Sequence, residues 1–383
     1  MNRVPRDIRT LVAFAFAASA ADASLVTLLP SIRRDLALTG LEAGAVLSAT
    51  TLAMLAVAIP VGLVAGRVGS APLLRVAGIV LPVALVAMAL APGLPLLLAA
   101  RGAFGISYGV LWVIGPARLA AGGRGARGTG LMIGASGAGW LFGPLVSGAV
   151  GGAVGWRWPL LALAVAAVPV AAALALERIP TLAPTPLRAR DAVALVRRER
   201  AVVGALVVSA VLGVVSGTAS ILVPQLLSDN GLSAGGIGVV LGLSAAVWML
   251  AGPLSGRAGA RGVDLRLAGV AVGVLGVAWV VPVVSVSTGA LVFFVLLSAA
   301  CRAAVNTLAY ALGAGARAGE SSATAVVALM NVAWALTALV SPLFAGAAES
   351  DGAVRLAFAV TAALGLVAAA WMVTGRRVAA APA

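Results

Sequence analysis

Twelve apolar stretches of roughly 20 residues fill most of this 383-residue chain and leave only short polar segments between them. A helix of about 20 apolar residues is long enough to cross the hydrocarbon core of a bilayer. With 62% hydrophobic and 10% charged residues, the composition is too apolar for a soluble globular protein. The sequence predicts an all-α membrane protein with twelve transmembrane helices, at 8–29, 41–65, 72–91, 94–117, 129–152, 157–177, 201–226, 235–255, 265–284, 288–314, 321–347 and 353–374.

The arginines predict the orientation of these helices. All 26 basic residues are arginine, and 20 of them lie at the two termini or in loops on the same side as the termini. The opposite side holds four: Arg33, Arg34, Arg157 and Arg355. Because cytoplasmic loops are enriched in arginine, we expect both termini in the cytoplasm of a multi-pass protein of a bacterial-type inner (plasma) membrane. The net charge of +14 reflects these loops and indicates no nucleic-acid partner.

The two halves of the chain repeat each other. The segment Gly62-Leu-Val-Ala-Gly66-Arg67-Val-Gly69 matches Gly252-Pro-Leu-Ser-Gly256-Arg257-Ala-Gly259 at an offset of 190 residues. The repeated unit holds six predicted helices, so both halves insert with the same orientation. The sequence predicts six-helix bundles at 1–178 and 201–383, joined by a cytoplasmic linker at 179–200. Parallel halves around a central site are typical of transporters.

The composition argues against catalytic chemistry. The chain contains no histidine and no lysine, which excludes a Ser-His arrangement and a phosphate loop ending in Gly-Lys. Cys301 is the only cysteine, so an intrachain disulfide or a cysteine zinc site cannot form. We therefore predict that the protein is not an enzyme and needs no cofactor or metal.

Two charged residues, Asp22 and Arg101, interrupt apolar stretches. An ionised side chain at that depth costs about 3 kcal/mol or more on insertion scales and usually has a function. Asp22 lies about 12 Å before Pro30, and Arg101 lies about 10 Å into the fourth helix, which runs in the opposite direction. The similar depth predicts an ion pair. Asp22 could be an intramembrane proton carrier, or the pair could be a static lock between two helices.

Several motifs resemble those of the major facilitator superfamily, and specifically its twelve-helix drug:proton antiporters. Ala21-Asp22-Ala-Ser-Leu-Val-Thr27-Leu-Leu-Pro30 resembles the first-helix signature of these antiporters, and Arg101-Gly-Ala-Phe-Gly105-Ile-Ser-Tyr-Gly109 the fourth-helix signature. The fifth helix, with Gly139, Gly143, Pro144 and Gly148, is similar to the signature of exporters. The resemblance implies two pseudo-symmetric six-helix bundles, proton coupling through Asp22 and Arg101, and a monomer in the lipid bilayer.

The loop between the second and third helices resembles the superfamily signature only in part. The matching positions are Gly62, Gly66, Arg67 and Gly69, but Gly66 stands where the family has an acid. In the family that acid helps to latch the halves together on the cytoplasmic side. Arg67 either retains part of such a latch or serves only as a cytoplasmic positive charge.

A substrate pathway is predicted where polar and aromatic residues lie within the helices. An apolar pocket with few polar groups suits lipophilic ligands, although single aromatics can equally pack between helices or meet lipid. Arg302 could contact an anionic or electron-rich substrate, or could instead bind helix carbonyls or extend to water. The predicted pathway residues are Tyr108, Trp112, Trp140, Trp248, Arg302, Asn306, Tyr310, Asn331 and Trp334.

These observations predict a proton-coupled exporter whose partners are protons and a small lipophilic substrate. Two alternatives remain open. One is an importer or exchanger of a small organic anion, which Arg302 would suit. The other is a membrane receptor or scaffold that has lost transport, for which the degenerate loop motif is the hint.

Overall fold

The computed structural model describes residues 6–119, 125–176, 196, 199–259, 264–314 and 320–374. Within these residues every regular element is an α-helix. Twelve spans in this part of the chain are long and apolar enough to cross a membrane, which confirms the predicted fold class. The helices are α1 (Arg6–Leu36), α2 (Gly40–Val68), α3 (Ser70–Ala89), α4 (Leu94–Leu119), α5 (Gly125–Val154), α6 (Arg157–Leu176), α7 (Arg200–Asp229), α8 (Ala234–Gly259), α9 (Leu265–Ala278), α10 (Val281–Val284), α11 (Thr288–Ala314), α12 (Glu320–Ser350) and α13 (Val354–Thr374).

Local chemistry accounts for several helix ends. Thr39 and Glu42 form a capping box at the start of α2, in which each side chain binds the other's backbone N–H. Gly69 separates α2 from α3 with a φ of 86°, which only glycine adopts without strain. The predicted span 265–284 divides into α9 and α10 because Pro282 cannot donate a hydrogen bond, and its ring would clash with the carbonyl of Ala278, the last residue of α9.

The helices pack into two compact units. The first comprises Met1–Pro186, Ser216–Met249 and Ala338–Val354, and the second comprises Leu187–Val215, Leu250–Thr337 and Arg355–Ala383. In the first unit α1 packs against α5, α2 against α4, and α3 against both α4 and α6. The second unit has a buried aromatic cluster in which Trp279 contacts Phe294 of α11 and Phe358 of α13.

The boundary between these units differs from the predicted boundary between sequence halves. Parts of α7, α8 and α12 belong to the first unit together with α1–α6. Most of the predicted linker 179–200 lies outside the described residues. The division into bundles at 1–178 and 201–383 therefore stays a prediction.

Close backbone contacts join α2 to α12 within the first unit, and a side-chain ion pair joins α1 to α12. A Cβ on Gly40 would overlap the Gly346 carbonyl oxygen, and one on Gly44 would overlap that of Pro342. Beside them, Arg33 Nη2 donates to Glu349 Oε2 at 2.9 Å, and both side chains are largely buried. We call Arg33, Gly40, Gly44, Gly346 and Glu349 the outer clamp, because the orientation predicted from the arginines has this end away from the cytoplasm. The sequence alone predicts Arg33 to be a loop charge and predicts no partner for Glu349.

Glu349→Gln is expected to loosen the outer clamp. Loss of a partly buried ion pair should destabilise the closed clamp by about 1–2 kcal/mol, a value between those of exposed and fully buried ion pairs. Opening of the outer clamp should therefore become about 5- to 30-fold more frequent. The reporter is Ser48→Cys in a Cys301→Ala background, because Ser48 is buried in α2 and its hydroxyl donates to the Leu339 carbonyl. The measurement is the rate at which a membrane-impermeant thiol reagent labels this cysteine from outside.

Asp351→Asn provides the matched control, because this exposed acid lies two residues beyond Glu349 and takes no part in the clamp. It should leave the labelling rate unchanged. Equal rates in wild type and Glu349→Gln would mean that the ion pair does not hold these helix ends together.

Candidate functional site

The structure brings Asp22 of α1 and Arg101 of α4 together. Arg101 Nη2 donates to Asp22 Oδ1 at 2.9 Å, which is the separation of a charge-assisted hydrogen bond. The Arg101 side chain is 2% exposed, whereas that of Asp22 is 17% exposed. The carboxylate is therefore the more exposed partner of the pair. Its role in proton coupling stays a prediction.

Other groups hold the Arg101 guanidinium in place. Its Nε donates to the carbonyl of Val46 in α2 at 3.4 Å, and its Cζ lies 5.1 Å from the centre of the Phe104 ring. Arg101 Nη1 is buried and has no hydrogen-bond partner in the described part of the chain. A cation fixed in this way depends on Asp22 as its counter-charge. A change in the charge of Asp22 would therefore act on contacts of α1, α2 and α4 at once.

Tyr108 extends this site along α4. Its hydroxyl lies 3.3 Å from Ser19 Oγ of α1, and Ser19 Oγ lies 2.7 Å from Ser136 Oγ of α5. The Tyr108 ring stacks on Phe104 at 5.7 Å and meets the edge of Trp112 at 6.1 Å. Of the predicted pathway residues, Tyr108 and Trp112 thus share one face of α4 with Arg101.

Sequence reasoning missed Ser19 and Ser136. Ser19 lies three residues before Asp22, a spacing that puts both on the same face of α1. Ser136 lies among the glycines of α5. Serine is common in membrane helices and often bonds only to its own helix, so the spacing to Asp22 was the one usable signal.

The glycines of the α5 motif are contact points for two helices. Gly139 and Gly143 face α1: a Cβ on Gly143 would overlap the Ala20 carbonyl oxygen, and one on Gly139 would lie 2.5 Å from that of Phe16. Ser24 Oγ also donates to the Gly143 carbonyl at 3.1 Å. Gly148 faces α8, where a Cβ would overlap the Ala234 carbonyl oxygen. Small residues thus permit the close backbone approach that membrane helices use for packing.

Pro144 lies between these two contacts. Its carbonyl oxygen approaches Gly238 of α8 closely enough that a Cβ on Gly238 would overlap it. Because proline cannot donate to the carbonyl of Trp140, four residues earlier, the helix lacks one backbone hydrogen bond there. This leaves α5 easier to bend between its contact with α1 and its contact with α8.

The remaining pathway candidates fall into two groups. Trp140 of α5 and Trp248 of α8 are partly buried in the first unit. The second unit contains Arg302, Asn306 and Tyr310 on α11, with Asn331 and Trp334 on α12. Within this second group Tyr310 Oη donates to Asn331 Oδ1 at 3.3 Å.

Two further predictions concern the loop motif and metal binding. Gly62, Gly66 and Arg67 belong to the last turns of α2, but their side-chain surroundings lie outside the described part of the structure. The proposed latch role of Arg67 therefore stays a prediction. Among the described residues, no three His, Cys, Asp or Glu side chains are close enough together to hold a metal ion.

Several solved transporter structures share this fold. A crystal structure of a bacterial homolog of the human lysosomal transporter Spinster, in an inward-facing and occupied conformation, matches with a TM-score of 0.81 at 15% identity, covering 97% of each chain. A peptide transporter POT in complex with sulfate gives a TM-score of 0.75 at 14% identity, covering 96% of this chain and 94% of the other. A POT family transporter in complex with 5-aminolevulinic acid gives a TM-score of 0.76 at 12% identity, covering 95% of each chain.

At these identities the structural matches show the fold alone. A search of curated protein sequences finds no significant match. The sequence profile of the Major Facilitator Superfamily, however, matches residues 11–342, which is most of the chain. Together with the twelve apolar spans, this match shows that the chain is a multi-pass membrane transporter belonging to the Major Facilitator Superfamily.

Proposed function

We propose that the protein is a proton-coupled exporter of small lipophilic molecules that works by alternating access. The observation that carries this proposal is the ion pair between Asp22 and Arg101. Among the described transmembrane segments, Asp22 is the one acidic residue at mid-helix depth, and the chain contains no histidine that could carry a proton instead. A charged pair is costly inside a membrane unless it has a function, and proton exchange is a common one.

Protonation of Asp22 would couple the proton to a change of structure. A neutral carboxyl group has lost most of its attraction to Arg101, which keeps its bond to the Val46 carbonyl and its position over Phe104. The free energy of the contact between α1 and α4 therefore differs between the two protonation states. Proton binding on one side of the membrane and release on the other can then bias which way the site opens.

The α5 motif supports export as the direction. Gly139, Gly143, Pro144 and Gly148 have the spacing that the exporter signature of the family has. Their contacts with α1 and α8 put a bendable helix between the Asp22 helix and a helix of the second sequence half. The aromatic rings of Phe104, Tyr108 and Trp112, which contact one another along α4, favour a lipophilic substrate.

We further propose that both termini lie in the cytoplasm, that the membrane is the inner membrane of a bacterial-type cell, and that the protein works as a monomer. The proposal for orientation rests on the arginine distribution. The monomer is the expectation from the family resemblance.

Everted membrane vesicles provide the direct test. Vesicles containing the protein are acidified inside, and accumulation of fluorescent lipophilic dyes is followed with and without an uncoupler; the panel includes the cation ethidium, neutral dyes and anionic dyes. Accumulation that the uncoupler abolishes, as protons leave the acidic interior, supports proton-coupled export. Gradient-independent flux of anions only would instead indicate the importer or exchanger, and dye binding without flux would indicate the receptor.

A further inference from the structure

Three polar residues form a line along α11 in the second unit. Arg302, Asn306 and Tyr310 are spaced by four residues, so they lie on one face of the helix. Arg302 lies about 21 Å from the start of this 27-residue helix, which is near the middle of the helix. We call these three residues, with Asn331 of α12 that Tyr310 contacts, the α11 polar stripe.

The Arg302 cation has no protein counter-charge in the described part of the chain. Its Nε is buried without a hydrogen-bond partner, and none of the ion pairs within the described residues involves it. The described acidic residues of the second unit include Glu199, just before α7, and Asp264, which caps α9, and both lie at helix ends. Arg302 therefore differs from Arg101, which also lies within a membrane helix but is neutralised by Asp22.

The sequence repeat explains why a partner is missing. Asp22 stands eight residues before Pro30 in α1, and the corresponding position eight residues before Pro224 in α7 is Ser216. The second half thus has the arginine but not the acid. An unneutralised arginine in a membrane helix is costly and is seldom retained unless it contacts water or a ligand.

One end of the stripe is exposed. Tyr310 is 39% exposed and Trp334, one turn from Asn331 on α12, is 36% exposed, while the Arg302 side chain is partly buried. Polar side chains within membrane helices almost always face the bundle interior or a water-filled cavity. A solute that meets the exposed end would find the Asn306 amide and the Arg302 cation one and two turns further along α11.

We infer that the α11 polar stripe binds the carboxylate of an amphiphilic organic anion, with Arg302 as its counter-charge. This inference rests on the proposed function and names the substrate class. A guanidinium can donate two parallel hydrogen bonds to a carboxylate, and Asn306 can supply a further donor one turn away. Trp334 provides apolar surface for the rest of the molecule. Binding of the anion neutralises Arg302, as Asp22 does for Arg101 in the first unit.

A matched pair of probes tests this inference. The protein is reconstituted in nanodiscs, and binding of 1-pyrenebutyrate and of 1-pyrenebutanol is measured by energy transfer from tryptophan, with empty nanodiscs as background. The probes share the pyrene and the butyl chain and differ in the carboxylate. Because a charge-assisted bond is lost with the alcohol, the carboxylate should bind about 10- to 100-fold more tightly to wild type.

Three variants test whether the preference for the carboxylate probe depends on Arg302. Arg302→Gln should reduce the preference to within about twofold, and Arg302→Lys should keep part of it, because it keeps the charge but not the planar fork. Arg355→Gln, which removes an exposed arginine at the start of α13, should leave the preference unchanged. Thermal unfolding of each variant controls for misfolding. Equal affinities in wild type, no carboxylate binding, or a preference that survives in Arg302→Gln would overturn the inference.

The binding assay uses no proton gradient, so a failure of this inference can be distinguished from a failure of the proposed function. A carboxylate preference without proton-driven flux would retain this inference and reject the exporter. Proton-driven flux of neutral dyes without a carboxylate preference would support the exporter and overturn this inference.

Discussion

Asp22→Asn is expected to reduce the rate of pH-driven transport by about 100-fold or more. Loss of a proton-transferring side chain typically lowers a rate by at least this factor. Asparagine has nearly the same shape and keeps an oxygen that can accept the bond from Arg101 Nη2, but it cannot bind or release a proton. The measurement is the initial rate of dye accumulation under an imposed pH gradient, corrected for the amount of protein reconstituted. Exchange of substrate without a gradient should persist, because binding and opening do not require the proton.

Two further variants distinguish a proton carrier from a static lock. Asp22→Glu keeps an ionisable group and should retain pH-driven transport at a reduced rate. Asp35→Asn removes a carboxylate that pairs with Arg157 at the far end of α1, and it should stay within about twofold of wild type, since exposed ion pairs are worth little. Wild-type pH-driven rates in Asp22→Asn would show that the pair only holds α1 against α4.

Gly143→Ala is expected to separate α1 from α5 and to inactivate the protein. The added methyl group would overlap the Ala20 carbonyl oxygen, and the neighbouring bond from Ser24 Oγ to the Gly143 carbonyl would be strained. Overpacking of this kind costs about 1–3 kcal/mol, and a backbone cannot rotate away as a side chain can. We expect a clear fall in the thermal unfolding temperature in detergent and a more than about tenfold loss of transport.

Gly134→Ala is the matched control on the same helix. A Cβ at Gly134 meets nothing within 4 Å, so the variant adds the same methyl group without a clash. Because alanine favours helix over glycine by about 1 kcal/mol, this variant should unfold at the wild-type temperature or slightly above it. If both variants unfolded alike, the contact between Gly143 and Ala20 would not contribute to stability.

The fold could be predicted well because the bilayer restricts the length and the polarity of every segment that crosses it. Each described span coincides with a predicted apolar stretch. The meeting of Asp22 with Arg101 also followed from the sequence, since only their depth along two antiparallel helices had to be known. The break between α9 and α10 was missed because other prolines of the described residues, such as Pro30 and Pro144, are accommodated within continuous helices.

Contacts that depend on helix rotation and on distant neighbours could not be predicted. Arg33 and Glu349 are 316 residues apart, and no pattern in either segment identifies the other as its partner. The bonds that Asp35 accepts from Trp156 and Arg157 likewise depend on α1 and α6 being neighbours. The sequence alone therefore indicates only that these charged residues lie in loops or at helix ends. The apolar pattern gives the depth of a residue, but it does not give the side from which another helix approaches.

The outer clamp also has a consequence for biosynthesis. The backbone at Gly40 and Gly44 is covered by α12, and the backbone at Gly148 by α8, although all three glycines are translated long before those helices. A newly inserted N-terminal half therefore leaves these glycine surfaces exposed to lipid, although the contacts among α1–α6 can already form. Its packing is completed only after the ribosome has passed Glu349. Quality-control proteases of the membrane would meet it as an incomplete surface until then.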